Sequence, residues 1–499
     1  MIDPVVATLV TAAALVVVAV VGLVYSRRHV GSVEDLVSAR NSTGTGMTTA
    51  TLVASGLGAW VLFSPAEAGA AFGGLAAVVG YAIGSAVPIL LFVWVGSRVR
   101  QYIPEGHSLT EYVYVRYGPV FYTYVLLISV SYMFIFLAAE MTGIVGALQL
   151  VAGVPAWWTA ALVGGVALVY TAYGGLLASI VTDAVQAVVL LPLILVTAVA
   201  AAVSLGGVGT IVGEVAASQP QLLDITNPSG VEFGIYISVA ILGANMFNQG
   251  RWQRIYAAHD ERTVRRSFAL SAAITLPAIV LFGLFGIVAS GMNLGDNPST
   301  AFFAVVDAAL PDTLLLLVVA LAAVLVASTA DTLFNAIASI ATADLSLVID
   351  DPDERTLLLV ARGLTVVVAL GAIVVGTQGY SVLNLFLLAD LLSAATVVPF
   401  LYGLFSGRPT EGGALVGSVA GLAVGTAYFP LARGLVGSIP VLGPALPAAS
   451  NIHAFTLAMV VSTVVVVALG RITDARFDRD RLSTQIRSLD EPDIAPADD

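Results

Sequence analysis

A long apolar stretch, residues 314–345, carries polar side chains where an apolar environment tolerates few. Four of them recur at spacings of three, four and four residues, which places them on one face of a helix: Ser328, Asp331, Asn335 and Ser339. Thr329 lies beside this face. A buried carboxylate is costly unless it faces a cavity, a partner or an ion pathway. We therefore expect an ion site at Ser328, Thr329 and Asp331, whereas the two later polar residues would serve helix packing equally well.

The oxygen atoms near this stretch suit sodium, because a small hard cation prefers oxygen ligands. The candidate ligands are the hydroxyls of Ser328 and Thr329 and the backbone carbonyls of Ala54, Leu57 and Leu325. The Leu325 carbonyl lies one turn before Ser328, and a nearby hydroxyl can perturb its helical hydrogen bond. Asp331 adds a negative charge for a second cation or a proton.

Another polar group opens an earlier apolar run, near residues 183–204, with Thr182, Asp183 and Gln186 close together. Two interpretations stay open. Asp183 would hold a second cation or a proton, or Thr182 and Asp183 would simply begin a helix, where such residues are favoured.

Three more carboxylates lie within apolar segments: Glu67, Glu140 and Asp390. An ionisable residue at membrane depth is a functional candidate. Glu67 and Glu140 are therefore candidates for contact with a cationic or polar solute, or for carrying protons. For Glu67, a position in a water-filled vestibule stays equally open, since residues near the end of a span reach the interface.

The composition is that of an all-helical protein with many membrane spans. Of 499 residues, 58% are hydrophobic and 10% charged, and the mean hydropathy is +0.97. The net charge of −12 argues against binding to nucleic acid. No cysteine is present, which excludes disulfides and thiolate sites, and no GxxxxGK[ST] motif supports ATP-driven pumping. The four histidines have no metal-ligand spacing, so we expect no metal other than sodium. We also expect no enzymatic activity and no cofactor.

Apolar runs of about 20 residues predict about thirteen membrane spans. They lie near residues 5–25, 47–68, 74–97, 119–149, 157–177, 183–204, 232–250, 267–291, 314–345, 357–377, 381–405, 411–431 and 453–470. All 20 basic residues are arginine, and with thirteen spans only Arg433 falls on the side opposite to the rest. Since cytoplasmic loops collect basic residues, we expect a multi-pass protein of the cell membrane with its N-terminus outside and its C-terminus in the cytoplasm.

Two of these spans are interrupted by residues that loosen a helix. The span at 47–68 contains Gly56, Gly58 and Pro65, and the span at 232–250 contains glycines and asparagines. Irregular backbone at membrane depth is tolerated where it lines a cavity or holds an ion. Paired interruptions indicate inverted repeats with a binding site between them. The expected organisation is a first helix and loop (1–46), two five-helix repeats (47–206 and 207–406), two peripheral helices (407–470) and a charged cytoplasmic tail (471–499).

Four sequence segments resemble the sodium/solute symporter family, whose members carry sugars, proline, pantothenate, iodide or urea. They are TAYGGLLASIVTDAVQ, NQGRWQRIYAAHDERTVRR, ASTADTLFNAIASIATADL and FLYGLFSGR. The resemblance implies the five-plus-five inverted-repeat fold of the leucine-transporter type. It places the family's sodium ligands on the five oxygens named above and a second cation on Asp183.

The same resemblance places substrate contacts at Trp60 and Asn248, and a structural role at the segment Gln253-Arg254. The chain departs from proline carriers at Gly56, where they have an aspartate, and at Gly250, where they have a proline. These departures speak against proline as the solute.

The sequence therefore predicts a secondary active transporter that carries a small polar organic solute together with sodium, by alternating access in the lipid bilayer. Proton-coupled or uncoupled transport by the same fold is an alternative, with Glu140 or Asp331 as the protonated group. A solute-sensing transceptor is a further alternative, which the short tail disfavours. An ion channel would not account for the paired interruptions. The solute, the sodium stoichiometry and the oligomeric state are not specified by the sequence.

Overall fold

The structure, a computed structural model, describes residues 2–29, 39–58, 60–348, 354–432, 446–473 and 476–486. Arg433 and most of the acidic loop between residues 349 and 354 lie outside the described residues. Within them the chain is helical, with a single bridge between Thr43 and Ala258 and no strand.

The helices, in chain order, are α1 (Pro4–His29), α2 (Thr45–Gly56), α3 (Trp60–Ala71), α4 (Gly74–Tyr102), α5 (Leu109–Tyr117), α6 (Pro119–Ala152), α7 (Ala156–Ser204), α8 (Val208–Ser218), α9 (Pro228–Phe247), α10 (Gln249–Ala257), α11 (Glu261–Gly291), α12 (Ala301–Ala309), α13 (Asp312–Val348), α14 (Glu354–Gly376), α15 (Val382–Ala394), α16 (Val397–Phe405), α17 (Glu411–Tyr428), α18 (Asn451–Ile472) and α19 (Arg481–Gln485). Short 3-10 turns precede α9 and α12.

Every predicted apolar segment overlaps one of these helices. Within the described residues, eight helices are long and apolar enough to cross a membrane, and three bent pairs raise that number to eleven. The predicted division between residues 177 and 183 is wrong, because α7 continues through it. At 49 residues α7 would extend about 73 Å if straight, which is more than twice the length needed for one crossing of a hydrocarbon layer about 30 Å thick.

Both predicted interruptions are present. The chain bends by 52° between α2 and α3. The second break lies between α9, which ends at Phe247, and α10, which begins at Gln249, with Asn248 in extended conformation between them. Two further bent pairs, α7 with α8 at 70° and α15 with α16 at 43°, were not expected from the sequence. The first two breaks begin the two predicted repeats.

Small residues allow the helices around the breaks to pack closely. A Cβ atom at Gly286 of α11 would overlap the carbonyl oxygen of Ala66 in α3. At the crossing of α4 and α9, Gly80 and Gly234 lie against each other. Backbones approach this closely only where side chains are absent, which is how membrane helices gain packing energy without a hydrophobic driving force.

Arginines gather at one end of the bundle, where they hold loops together. Arg40 donates to the carbonyl of Pro104 at 2.6 Å, and Arg116 donates to the carbonyl of Ser406 at 3.0 Å. The tail returns to this end: Phe477 lies under the Arg116 guanidinium, 4.6 Å from it, and Leu482 is fully buried. Part of the segment expected to be a charged tail therefore packs against the helices.

Candidate functional site

A cavity of about 60 Å³ lies between the two helix breaks. Ser55 and Trp60 line it from the α2–α3 break, and Asn248 and Arg251 line it from the α9–α10 break. Helices α4, α6 and α15 complete the wall with aromatic side chains and the carboxylate of Asp390. The lining combines aromatic side chains with a few polar and charged groups, which is the composition of sites that bind small organic molecules.

The Thr329 hydroxyl lies directly over the first break. A Cβ atom at Gly58 would overlap this hydroxyl, whose oxygen is buried and has no hydrogen-bond partner among the described residues. At the same break, the Val61 N–H bonds to the carbonyl of Gly58 at 3.1 Å, so the Leu57 carbonyl lacks its usual helical donor. A buried hydroxyl and a carbonyl released from the helix are oxygens of the kind that sodium binds.

The other two predicted carbonyl ligands, Ala54 and Leu325, are each 1% exposed. Ala54 lies in the last turn of α2, next to the break, where carbonyls have no intrahelical donor. Leu325 lies in the middle of α13, so its carbonyl has a helical N–H donor and one remaining lone pair for an ion.

The predicted ligand Ser328 belongs to a buried network around Asp183. Its hydroxyl donates to Asp183 Oδ1 at 2.6 Å, while Oδ2 accepts from the Thr51 hydroxyl at 2.8 Å and from Arg254 Nη2 at 3.0 Å. Arg254 and Asp183 are 1% and 0% exposed, so this is a buried ion pair. It joins α7, α10 and α13, and it leaves the lone pairs of the Ser328 oxygen available to a cation.

This network excludes one of the two interpretations of Asp183, the one in which Thr182 and Asp183 begin a helix. Asp183 lies inside α7, and its carboxylate bonds to side chains of other helices, so it does not begin a helix. Because Arg254 already balances its charge in this conformation, a second cation there would gain little from it. Its assignment as a second-ion group stays a prediction.

Asp331 lies three residues beyond Ser328 and is 1% exposed. Its Oδ1 accepts from the Thr171 hydroxyl at 2.7 Å and from Asn335 Nδ2 at 3.0 Å. Ser339 donates to the carbonyl of His107 at 3.2 Å. The later part of the polar face therefore joins α13 to α7 and to the loop before α5.

The two other predicted carboxylates occupy different places. Glu140 of α6 is fully buried beside the first break, where its Oε1 accepts from the Trp60 N–H at 2.9 Å and its Oε2 has no partner among the described residues. Glu67 lies outside the cavity lining and is 5% exposed, which is not the water-bathed position considered from the sequence. It accepts from the hydroxyls of Ser299 and Ser381, each at 2.7 Å.

A sequence profile described as the sodium:solute symporter family matches residues 36–421. The chain belongs to the sodium:solute symporter family. Family membership and the neighbouring structures agree with a transporter and not with an enzyme.

Similar proteins within and around the family carry different solutes. A spermidine transporter of Candida albicans is 27% identical over 395 residues, which is 76% of this chain and 73% of that protein. A sodium/glucose cotransporter of Vibrio parahaemolyticus is 28% identical over 448 residues, or 81% of each. A urea-proton symporter of Oryza sativa subsp. japonica is 25% identical over 403 residues, covering 70% of this chain and 54% of that protein.

Solved structures confirm the fold. A Na⁺-coupled sialic acid symporter superposes with a TM-score of 0.74 at 15% identity, covering 94% of this chain and 98% of that chain. The nucleobase-cation-symport-1 transporter Mhp1 gives a TM-score of 0.59 at 13% identity, covering 89% of this chain and 97% of that chain. These are transporters of the leucine-transporter fold, as the paired breaks predict.

Within this family member, the structure brings Thr329 and Leu57 to one break, places Ser328 in the adjacent network, and puts Trp60 and Asn248 on the cavity wall. The sequence did not indicate Arg251. In the sequence it is one of five arginines after the seventh span, next to Gln253-Arg254 with its predicted structural role, and a basic cluster at the end of a span is an ordinary feature of cytoplasmic loops. The signal available was the position of Arg251 only three residues after the break at Asn248.

Proposed function

We propose that this protein is a sodium-coupled symporter of a small polar organic solute. The observation that carries the proposal is that a candidate solute site and a candidate sodium site are neighbours. The cavity between the two breaks lies beside the buried Thr329 hydroxyl, which has no hydrogen-bond partner among the described residues. The family name and the sodium-coupled relatives support sodium as the driving ion.

The coupling follows from what sodium would connect. An ion between Thr329 on α13 and the Leu57 carbonyl would hold the first break against α13. That contact would also fix Trp60, because the Trp60 Nε1 donates a hydrogen bond at 3.0 Å to the carbonyl of Gly56 at the same break. Sodium then favours the conformation that binds it more tightly, and the solute cavity is formed in that same conformation. Rocking of one helix group would release both.

Proton coupling is the second candidate, and Glu140 favours it. A buried carboxylate with one oxygen unpartnered among the described residues is stable only if a cation or a proton compensates it. One similar protein is named a urea-proton symporter.

The arginine distribution supports an N-terminus outside the cell and a C-terminus in the cytoplasm of a protein in the cell membrane. Labelling of single cysteines added at Asp3 and at Arg479 with an impermeant reagent on intact cells tests this orientation. The reagent should modify the first and not the second, and the reverse result would contradict the assignment.

The test of function is uptake into proteoliposomes of a panel of sugars, amino acids, polyamines, urea and carboxylates. Each solute is offered with an inward sodium gradient, with an inward proton gradient, or with potassium alone. We expect at least one solute to accumulate with sodium only, and Glu140→Gln to preserve that uptake. Accumulation that ignores sodium and is lost in Glu140→Gln would establish the proton-coupled alternative.

A further inference from the structure

The central cavity contains two ionisable side chains of opposite type that are not paired with each other. Arg251 and Asp390 both line it, and among the described residues no ion pair joins them. The Arg251 Nε and Nη1 atoms are buried without an acceptor, and the Asp390 carboxylate receives no hydrogen bond from the described part of the chain.

This situation contrasts with the charged network one turn away. Arg254 is paired with Asp183 at 3.0 Å and also donates to the carbonyl of Gly250 at 3.3 Å. The same short helix, α10, thus carries one arginine that is fully engaged and one that is directed at the cavity. An unpaired buried charge is strongly unfavourable, so a site that keeps two of them is arranged for a ligand that pairs with both.

Aromatic side chains surround the acidic side of the cavity. Phe386 lies one turn before Asp390 on α15, and the Trp60 ring is 6.4 Å from the Phe386 ring. Tyr81 is 6.0 Å from Trp60 on the other side. Aromatic faces attract ammonium groups, and they do so most strongly where water is excluded. The Asp390 side therefore suits an amine, and the Arg251 side suits a carboxylate, which a guanidinium binds with two parallel hydrogen bonds.

We propose that the transported solute is a zwitterion, with an ammonium group at Asp390 and a carboxylate at Arg251. This inference rests on the proposed function. A neutral solute such as urea would leave both side chains without an oppositely charged partner, and a simple amine or carboxylate would leave one of them without a partner. Only a solute that carries both charges, separated by the gap between the two side chains, neutralises the cavity as it binds.

The test is uptake of radiolabelled probes by proteoliposomes under an inward sodium gradient. Glycine, β-alanine, γ-aminobutyrate and 5-aminovalerate vary the distance between the two charges. n-Butylamine and butyrate each keep one charge of γ-aminobutyrate, and urea and glucose keep none. We expect one length of amino acid to be taken up best, roughly 10- to 150-fold faster than the amine or carboxylate of matching length.

Two variants test the two proposed contacts separately. Asp390→Asn should lower uptake of the zwitterion by a similar factor and raise the relative uptake of butyrate, whereas Arg251→Gln should favour n-butylamine instead. Removal of exposed charges by Asp307→Asn and Arg265→Gln provides matched controls that should leave the preference unchanged. Binding of ²²Na⁺ to each purified variant shows that it is folded and keeps the ion site.

The outcomes separate this inference from the proposed function. Sodium-driven uptake of urea or glucose without any zwitterion would overturn the zwitterion and leave the symporter intact. Zwitterion uptake whose preference does not follow the removed charge would also overturn it. Zwitterion uptake that follows the removed charge but ignores sodium would support the site and contradict sodium coupling.

Discussion

Replacement of Gly58 by alanine tests the sodium site by a steric route. The new Cβ would overlap the Thr329 hydroxyl but would lie 3.4 Å from the Thr329 Cβ and 3.4 Å from Glu140 Oε1, which are ordinary contacts. Only the hydroxyl has to move, by rotation of the Thr329 side chain away from the break. Loss of one oxygen contact to a charged group costs about 1.5–3 kcal/mol, which corresponds to roughly 10- to 150-fold weaker sodium binding.

The assay is equilibrium binding of ²²Na⁺ to purified protein as a function of sodium concentration. Thr329→Ala should weaken binding by a similar factor, because it removes the same hydroxyl. The double variant should be no weaker than Thr329→Ala, since no hydroxyl remains for the Cβ to displace. Gly46→Ala in the same helix α2 is the control, because a Cβ there meets nothing within 4 Å. Unchanged sodium binding in Gly58→Ala, or additive losses in the double variant, would refute the assignment.

Two further substitutions test the packing around the site. Arg254→Gln should destabilise the protein by about 3–5 kcal/mol, because it leaves Asp183 buried without its counter-charge, and addition of Asp183→Asn should restore part of that loss. Thermal unfolding in detergent measures both effects. A single variant more stable than the wild type would contradict the ion-pair role. Gly286→Ala should lower the free energy of unfolding by about 1–3 kcal/mol by overpacking α11 against α3. Gly363→Ala is the control and should not lower the unfolding temperature, because its Cβ meets nothing within 4 Å. Equal unfolding temperatures for the two variants would show that the crossing tolerates a side chain.

Much of the architecture follows from local sequence signals. Apolar length identifies the spanning helices, and the glycines and asparagines around residues 56 and 248 correctly identify the two breaks. The spacing of Ser328 and Asp331 correctly places them on a buried face of α13. These features depend on helical periodicity and backbone flexibility, which a short stretch of chain determines by itself.

Contacts between distant segments were not accessible in the same way. Thr182 and Asp183 have the composition of a helix start, yet α7 continues through them because Asp183 bonds to Ser328 and Arg254 on other helices. Arg251 and Arg254 belong to one basic cluster in the sequence, and only their surroundings distinguish the paired arginine from the one that lines the cavity. Tertiary placement, which the sequence does not display, decides both cases.

The most direct test of sodium coupling is the entry of ²²Na⁺ into proteoliposomes at a fixed membrane potential, measured with and without the solute that the uptake panel identifies. The proposed symport predicts that the solute accelerates sodium entry, and that Thr329→Ala needs a roughly 10- to 150-fold higher sodium concentration for the same acceleration. Solute entry that leaves the rate of sodium entry unchanged would contradict it.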